Sequence, residues 1–419
     1  MKIGVIADDF TGATDAASFI VKNGLSAVQF SGVQPDSGYV EADALVVSLK
    51  TRSCAPEQAV AQSLAACDWL LSQGCTLIYF KYCSTFDSTA AGNIGPVSEA
   101  LMERLVVDCC LICPALPVNG RTVYQGHLFV FDALLSESGM RNHPITPMTD
   151  ANLLRLIEQQ SSGQAQLLDW PTVQAGREAI AERLEACRAA GSTFVVCDSL
   201  TEQDLLAIAE QAKRLRLVTG GSGLVGAIAA SVERQQPSLK RTDGGGVQSQ
   251  LPRRGVILSG SCSVMTNQQV AAYKPLAAHH KVDIGRTLSD PDYLEELTGW
   301  VLGHADARCF PMVYATVAAD ELSEIQQRYG EQASAAVEQL FHDLVKQLHE
   351  FGFNTFISAG GETSGTITQA LDVERFSVGQ EIAPGVPWMY SLDGKLQLAL
   401  KSGNFGSEQF FQYAQEQLG

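Results

Sequence analysis

The sequence has no stretch rich in lysine and arginine, and its acidic residues outnumber its basic ones. The 419 residues include 46 Asp and Glu against 29 Lys and Arg, which gives a formal net charge of −17 at pH 7. Nucleic-acid binding depends on basic patches that release counterions from the phosphate backbone. We therefore expect no nucleic-acid partner, and an anionic ligand would need local cations to bind against the overall negative field.

Long hydrophobic runs are also absent. No stretch approaches the roughly 18 apolar residues that a membrane-spanning helix requires. The apolar run at residues 3–7 is too short for the core of a signal peptide and ends in two carboxylates. We therefore expect a cytoplasmic protein with no membrane partner.

The eleven cysteines are scattered and odd in number, which favours reduced, buried thiols over a disulfide framework.

The common signatures of metal and phosphoryl-transfer chemistry are missing too. The sequence contains no Walker A motif and no protein-kinase signature set. Its seven histidines show neither H-x-x-x-H nor H-E-x-x-H spacing, and the C-x-x-C of Cys110 and Cys113 has no second pair or nearby histidine. No intrinsic metal site is expected.

Strand-like and helical patterns alternate over residues 1–235. Apolar strand-like runs lie at residues 2–7, 44–49, 76–80, 106–112, 194–197 and 216–219. Helical periodicity falls between most of them, for example at residues 56–71 and 172–190. Buried strands that alternate with amphipathic helices are typical of a doubly wound, mostly parallel sheet. Because the chain is too long for one ordinary core, we predict that residues 1–235 form the first of two α/β domains.

Apolar periodicity disappears over residues 236–254, where the chain is polar and glycine-rich, as in a linker. A second α/β block follows over residues 255–419, with a long helical pattern at 333–350. Near its end, Asp393 and Gly394 lie between two alternating runs, which is a strong hairpin signal. The second domain is therefore predicted to contain a mixed sheet with an antiparallel edge.

Carboxylates follow the first predicted strand. Asp8, Asp9 and Thr11 come directly after it, and ligands of open α/β sheets bind beyond the carboxyl ends of the strands. Such carboxylates can hydrogen-bond the hydroxyls of a substrate, or accept a proton from a reacting hydroxyl. A single aspartate would more simply cap the next helix, but two adjacent ones favour a functional role.

Two further loops are expected at the same edge of the sheet. Arg52 follows the second predicted strand, and Lys81 and Ser84 follow the third. An arginine forks onto carboxylates while aspartates bind hydroxyls, so the group suits a polyhydroxy acid. The alternative is a solvated rim in which these cations simply pair with the two aspartates.

Three loops of small residues in the second block suit a polyphosphate. They lie at residues 259–263, 358–365 and 401–406, each after a strand-like run. Small residues expose backbone N–H groups, and a helix N-terminus adds its dipole. One such loop is weak evidence, but three in one domain predict a nucleotide site. Lys401 is out of phase with the leucines of the preceding run, so it is expected to face away from what they contact.

A further glycine motif, G-x-G-x-x-G, runs from Gly221 to Gly226 after a strand-like run. A dinucleotide site would also need a following strand that ends in an acidic residue about 20 residues later. That position falls in the predicted linker, so a tight strand–helix turn is favoured over NAD binding.

Four of these segments together resemble the four-carbon acid sugar kinase family. They are residues 6–13, 81–89, 360–364 and 400–406. The resemblance covers almost the whole chain in the right order, and residues 14–19 and 82–89 look most like the 3-oxo-tetronate kinases of the family.

The resemblance implies an N-terminal acid-sugar domain and a C-terminal ATP domain. It implies transfer of the γ-phosphoryl group to the 4-hydroxyl of a 3-oxo-tetronate. As a separate hypothesis, we expect Mg²⁺ to accompany the nucleotide. The positions that match ATP-binding residues of the family are Ser259, Gly360, Gly361, Glu362, Thr363 and Gly403.

Several points stay open on the sequence alone. Either Asp8 or Asp9 is the candidate base, and Thr11, Arg52, Lys81 and Ser84 are candidate substrate-binding residues. D-threonate or D-erythronate is the alternative substrate within the family. An NAD-dependent dehydrogenase and a non-catalytic sugar-acid-binding protein are the alternatives from other classes. The oligomeric state is open, with a homodimer as one outcome.

Overall fold

Strands and helices alternate along the computed structural model, which describes residues 1–35, 38–143, 146–232, 254–330 and 332–418. The chain divides into two units, residues 1–238 and residues 239–419. The predicted linker at residues 236–254 lies outside the described residues except for Arg254, so the predicted domain bounds stay a prediction.

The first unit is built on a parallel sheet. The strands of this unit are β1 (Ile3–Ala7), β2 (Ala27–Ser31), β3 (Ala44–Ser48), β4 (Leu77–Lys81), β5 (Cys110–Cys113), β6 (Arg121–Tyr124), β7 (His127–Val130), β8 (Ala133–Leu134), β9 (Ala165–Leu168), β10 (Phe194–Cys197) and β11 (Leu217–Gly220). The order in the sheet is β2-β3-β1-β4-β11-β5-β10-β9, and neighbouring strands are parallel.

Helices connect these strands. The helices of the first unit are α1 (Phe10–Lys22), α2 (Pro56–Ser72), α3 (Ile94–Leu105), α4 (Leu153–Gln160), α5 (Trp170–Ala175), α6 (Arg177–Ala189), α7 (Glu202–Ala212) and α8 (Ser222–Ser231). One helix was expected over residues 172–190, but Gly176 divides it into α5 and α6. Its φ of 94° is incompatible with a continuing helix. The doubly wound, mostly parallel sheet predicted for this part of the chain is confirmed.

The order of the strands creates a switch point beside β1. From β1 the chain passes to β2 and β3 on one side, and then returns to β4 on the other side. All residues of β1 are buried. Loops that leave strands on either side of a switch point open a crevice at the carboxyl edge of a sheet, and the loops after β1, β3 and β4 meet there.

The proline- and glycine-rich stretch between Pro114 and Met148 contains a small antiparallel sheet in the order β6-β7-β8. Its first hairpin turns at Gln125 and Gly126, which both have positive φ. Asp198 accepts hydrogen bonds from the backbone N–H groups of both turn residues at 2.9 Å. This carboxylate, at the end of β10, therefore anchors the small sheet to the parallel one.

The second unit has a mixed sheet. Its strands are β12 (Gly255–Ser259), β13 (His279–Lys281), β14 (Met312–Tyr314), β15 (Thr355–Ala359), β16 (Arg375–Ala383), β17 (Val386–Ser391) and β18 (Gln397–Ala399). Its helices are α9 (Val264–Tyr273), α10 (Ile284–Ser289), α11 (Tyr293–Gly303), α12 (Ala319–Tyr329), α13 (Gln332–Glu350), α14 (Gly361–Ala370) and α15 (Phe410–Glu416).

Parallel and antiparallel pairs are separated within this second sheet. The order is β13-β14-β12-β15-β18-β17-β16. The pairs from β13 to β18 are parallel, while β17 runs antiparallel to both β18 and β16. Gly394, with φ of 69°, turns the chain between β17 and β18. The mixed sheet with an antiparallel edge, including this hairpin, agrees with the sequence prediction.

Aromatic side chains form much of the core of the second unit. Trp388 of β17 is buried in a cluster with Tyr273 of α9 and Phe411 of α15. The rings of Tyr273 and Phe411 pack edge to face with centroids 5.7 Å apart, a favourable geometry for aromatic pairs. These contacts hold α9 and α15 against the sheet.

Within the described part of the chain, no helix has both the length and the hydrophobicity needed to cross a bilayer.

Candidate functional site

The carboxyl ends of β1, β3 and β4 bring Asp8, Asp9, Arg52 and Lys81 together. β1 pairs with β3 on one side and β4 on the other, so the residues that follow these strands emerge side by side. Backbone bonds fix the start of the loops, because the Asp8 carbonyl accepts from the N–H groups of Thr51 and Arg52 at 2.9 and 3.2 Å. The expected grouping at this edge is therefore present.

Asp9 is the N-cap of α1. Its Oδ1 accepts from the backbone N–H of Gly12 at 3.0 Å, and its Oδ2 accepts from the Thr11 hydroxyl at 2.7 Å. A β-carbon at Gly12 would lie 2.2 Å from Asp9 Oδ1 and 3.0 Å from Lys81 Nζ. Glycine thus lets the helix N-terminus approach both charged groups, and the carboxylate both caps the helix and faces the site.

Arg52 binds three carboxylates. Its Nε and Nη2 form a two-pronged contact with Asp8 at 2.9 and 2.8 Å, and Nη2 also donates to Asp9 at 2.7 Å. Asp87 lies 3.8 Å from Nη1. This geometry is the planar fork that arginine forms with carboxylates. The contacts are those of the alternative considered above, but the group is largely buried rather than a solvated rim.

The two aspartates differ in pKa as a result of their surroundings. Burial is the largest influence on Asp8 and raises its pKa, with Arg52 opposing this effect. Burial also acts to raise the pKa of Asp9, but Arg52, Lys81 and the Thr11 hydroxyl together hold it below the usual value. Asp9 is the more accessible of the two, with 27% of its side chain exposed against 8% for Asp8.

Lys81 is buried at the end of β4 and takes part in a different set of contacts. Its Nζ donates to the carbonyl of Tyr82 at 2.9 Å, and it lies beside the N-terminus of α1. It makes no ion pair within 4 Å to a carboxylate of the described residues. The ammonium therefore keeps donor capacity toward a ligand.

The loop after β4 places a further carboxylate in the cluster. Asp87 accepts from the Thr85 hydroxyl at 2.7 Å, and Phe86 between them is buried with φ of 62°. A left-handed non-glycine residue is strained, and such strain is concentrated at functional sites. Ser84 lies partly exposed in this loop. Asp87 was not chosen from the sequence, because the turn that directs it at Arg52 has no glycine or asparagine to signal it.

The second unit brings its three glycine loops together at one sheet edge. They follow β12, β15 and β18, which are adjacent strands. Backbone bonds join them, since Ser261 N donates to the Ala359 carbonyl at 3.0 Å and Gly360 N donates to the Lys401 carbonyl at 2.8 Å. These loops, which lie far apart in the sequence, thus form one surface, as a nucleotide site requires.

The N-terminus of α14 lies within this surface. Its N-cap is Gly360, with φ of 131° and no side chain to cap the helix. Thr363 and Ser364 are buried in the first turn, and the Ser364 hydroxyl donates to the Gly360 carbonyl at 2.7 Å. Backbone N–H groups of an uncapped first turn are typical phosphate donors.

The remaining positions matched by the family resemblance surround this helix. Ser259, at the end of β12, is buried and exchanges a hydrogen bond of 2.6 Å with the Thr316 hydroxyl. Gly361 and Glu362 are exposed. Gly403 packs against the β12 loop, since a β-carbon there would lie 2.4 Å from Ser261 Oγ. The six positions therefore lie on neighbouring loops of one sheet edge.

The motif from Gly221 to Gly226 has a packing explanation. A β-carbon at Gly221 would lie 2.5 Å from the Pro114 carbonyl oxygen, and one at Gly223 would lie 2.7 Å from that of Ala115. These glycines let α8 approach the backbone after β5. The acidic position that a dinucleotide site needs lies outside the described residues.

The side chains able to bind a metal ion are scattered over the described residues. No group of three or more His, Cys, Asp or Glu with ligand geometry is present in the described ranges. Within the three glycine loops, at residues 259–263, 358–365 and 401–406, the sequence offers one carboxylate, Glu362. An oxygen ligand of this kind, completed by phosphate and water, is what Mg²⁺ prefers.

Two family models match the chain along the same division. A model described as a sugar-binding N-terminal domain matches residues 3–228, and one described as a nucleotide-binding C-terminal domain matches residues 256–411. The chain belongs to the four-carbon acid sugar kinase family.

Relatives and a solved structure resemble this family member over its whole length. The 3-oxo-tetronate kinase of Pectobacterium atrosepticum is 53% identical, with 100% of this chain and 99% of that protein covered. The 3-oxo-tetronate kinase of Brucella melitensis is 50% identical, with 99% and 95% covered. A solved structure from Salmonella typhimurium LT2 is 50% identical, superposes with a TM-score of 0.92 and covers 99% of each chain.

Proposed function

We propose that this chain is an ATP-dependent kinase that phosphorylates the 4-hydroxyl of a four-carbon sugar acid, with a 3-oxo-tetronate as the substrate. The observation that carries this proposal is similarity along the full length to two 3-oxo-tetronate kinases at 53% and 50% identity. The clustered carboxylates and cations of the first unit suit a hydroxylated anion. The nucleotide-binding match to the second unit supports ATP as the phosphoryl donor.

In the first unit we assign the roles from contacts and exposure. Asp9, the more exposed carboxylate, accepts a hydrogen bond from the substrate hydroxyl and orients it for attack. Asp8, more deeply buried, binds Arg52, whose fork it occupies. Arg52 therefore positions the two aspartates, and Lys81 is the cation that remains for the substrate carboxylate. Thr11 and Ser84 contribute hydroxyls to the substrate.

In the second unit, the first turn of α14 binds the phosphates of ATP through backbone N–H groups of Gly361 and its neighbours. The loops that carry Ser259 and Gly403 complete the nucleotide site. Glu362 is the side chain that fits Mg²⁺ bound with ATP. An ion held there would supply positive charge to neutralise the transferring phosphoryl group.

Three further assignments follow from the sequence. We propose an acid-sugar domain over residues 1–235 and an ATP domain over residues 255–419, joined by a linker. We propose a cytoplasmic location, since the reaction consumes ATP and the cysteines fit a reducing compartment. A homodimer is the proposed assembly, which light scattering of the purified chain would measure.

The direct test is an ADP-release screen over the four-carbon acid sugars, with and without a 3-oxo group. We expect the highest kcat/KM with a 3-oxo-tetronate, and formation of the 4-phosphate by mass spectrometry. The Asp9→Asn variant is the matched control for phosphoryl transfer by a contaminant. A higher kcat/KM with D-threonate or D-erythronate would reassign the substrate within the family. Absence of ADP release with every acid would contradict the proposal.

An NAD-dependent dehydrogenase is the weaker alternative, because close packing accounts for the glycines from Gly221 to Gly226. ATP and NADH titrations separate the two functions. We expect ATP, and not NADH, to raise the unfolding temperature of the protein.

A further inference from the structure

Lys401 is fully buried at the end of β18, among the glycine loops of the second unit. Its Nζ donates to the carbonyls of Ser402 and Gly403 at 2.8 and 3.0 Å, and lies 3.4 Å from the Thr266 hydroxyl. Three oxygens thus match the three N–H donors of an ammonium. No carboxylate of the described residues lies within ion-pair distance of it. A buried lysine without a counter-ion is rare, and titratable groups in such perturbed surroundings cluster at functional sites.

The Gly403 carbonyl is the point on which these contacts converge. Besides Lys401, the hydroxyls of Ser263 and Thr266 donate to it, each at 2.7 Å. Ser263 and Thr266 belong to the N-terminal turn of α9. The loop after β18 is therefore tied to the helix after β12 through one backbone oxygen.

Because the peptide bond is planar, the direction of the Gly403 carbonyl also fixes the direction of the N–H group of the next residue, Asn404. The described chain contains no cis peptide bond, so the N–H of Asn404 points opposite to the Gly403 carbonyl. The carbonyl points at three donors, of which Lys401 and Thr266 are fully buried, while Asn404 is exposed. The Asn404 N–H is thus directed away from the interior, on the loop that carries one of the matched nucleotide positions.

We propose that Lys401 is a positioning residue for the nucleotide, which holds the Gly403 carbonyl so that the Asn404 N–H donates to a phosphate group of ATP. The inference rests on the proposed function, because it takes ATP as the ligand of these loops. Lys401 acts through the peptide and does not itself contact the nucleotide. Its charge also makes the peptide a stronger donor, because it stabilises the negative end of the peptide dipole.

The position of Lys401 makes this orientation sensitive to pH. Burial lowers its pKa to about 7. The groups packed against the ammonium come from α9, from the loop itself and from Phe410 at the start of α15, whose ring centroid lies 5.8 Å away. None of these groups titrates, so Lys401 itself loses the proton. Nucleotide affinity should therefore be highest below pH 7 and fall as the pH rises through that value.

The test compares ATP binding by wild-type protein and Lys401→Met, by isothermal titration calorimetry at pH 6.0 and pH 8.5. Loss of a charge-assisted hydrogen bond predicts about 10- to 100-fold weaker binding by the variant at pH 6.0. The difference should shrink several-fold at pH 8.5, where wild-type Lys401 is largely neutral. Titration of ATP itself cancels in this comparison. In steady-state assays KM for ATP should rise more than kcat falls.

Lys395→Met is the matched control. Lys395 lies in the turn between β17 and β18, with 72% of its side chain exposed and an ion pair of 3.3 Å to Asp393. The Lys395→Met variant should bind ATP like the wild type. If Lys401→Met does not fold, Lys401→Gln provides neutral donors, and the same pH-dependent difference is expected. Equal affinity of variant and wild type at pH 6.0, or a difference independent of pH, would overturn the inference. Failure of the wild-type protein to bind ATP would overturn the proposed function as well. The wild-type titration therefore distinguishes failure of the proposed function from failure of the Lys401 inference alone.

Discussion

Replacement of Arg52 by methionine removes the cation from three clustered carboxylates, of which Asp8 and Asp87 are buried and Asp9 is partly exposed. Asp8 loses contacts at 2.9 and 2.8 Å, Asp9 loses one at 2.7 Å, and Asp87 loses a charge 3.8 Å away. Breaking a buried ion pair by removing one partner lowers the free energy of unfolding by about 3–5 kcal/mol. Because 26% of the Arg52 side chain is exposed, water replaces part of the lost pairing, and we expect a loss at the lower end, about 3 kcal/mol.

The pH dependence of this loss identifies its origin. Without Arg52, burial raises the pKa of Asp8 further above that of the unfolded chain. A carboxyl with a raised folded-state pKa binds its proton more tightly when folded, so the lost stability returns as the pH falls through that pKa. The difference between wild type and Arg52→Met should therefore be smaller at pH 5 than at pH 7.

Urea unfolding followed by circular dichroism at these two pH values measures both quantities. Arg104→Met is the matched control in the same unit. Its ion pair with Asp68 is short, at 2.6 Å, but both side chains are about half exposed, so its loss should lower stability by less than about 1 kcal/mol. Equal losses for the two variants, or a loss for Arg52→Met that is the same at both pH values, would refute this account of the cluster.

Three further experiments test the assignments. Asp9→Asn should lower kcat by about 10²- to 10⁴-fold, and Asp8→Asn should lower kcat less. Steady-state kinetics measure both effects, and a near-wild-type kcat in both variants would exclude both residues as the base. Gly360→Ala should destabilise the nucleotide-free protein by about 1–3 kcal/mol, because φ is 131° and the β-carbon would lie 3.1 Å from a backbone nitrogen. Thermal unfolding measures this loss, and Gly361→Ala, with open space at its β-carbon, is the control. Equal melting temperatures for Gly360→Ala and Gly361→Ala would contradict this reasoning. Gly299→Ala, inside α11 with open space around it, should stabilise the protein by about 0.5–1 kcal/mol in urea unfolding, and a loss of stability would contradict the helix assignment.

Strands buried on both faces were the part of the fold that sequence patterns predicted best. β3, β4 and β10 lie within a residue or two of the predicted runs, because continuous apolar segments between helices have few other interpretations. The run at residues 106–112 was placed too early. Val106 instead ends α3 in a left-handed conformation, with φ of 54° and 84% exposure. Its β-branched side chain favours a strand, but Val106 caps the helix, and the strand begins only at Cys110.

Partly exposed strands were not predicted. β9 lies at the end of the first sheet, and three of its four residues are only partly buried. Such a strand does not form the apolar run by which buried strands are recognised. β16 mixes exposed and buried residues and contains register shifts against β17, which interrupt the alternation of a regular strand.

The candidate site was predicted to the level of its loops but not of its contacts. The rule that ligands bind beyond strand ends correctly grouped Asp8, Asp9, Arg52 and Lys81. The rule could not show that Arg52 is already bound by aspartates, because the direction of a side chain depends on the loop conformation. Lys401 was expected to face away from the leucines beside it, but its three oxygen partners, one of them 135 residues earlier in the chain, had no sequence signal.

The position of β11 also has a consequence for how the first unit folds. This strand, residues 217–220, lies between β4 and β5. Without it, the first unit's parallel sheet would be two separate halves, β2-β3-β1-β4 and β5-β10-β9, each with an unpaired edge. A ribosome must therefore release almost the entire first unit before its sheet can close. The loops after β1, β3 and β4 can meet before that moment, but the strand that carries Lys81 gains its second neighbour only when β11 is inserted.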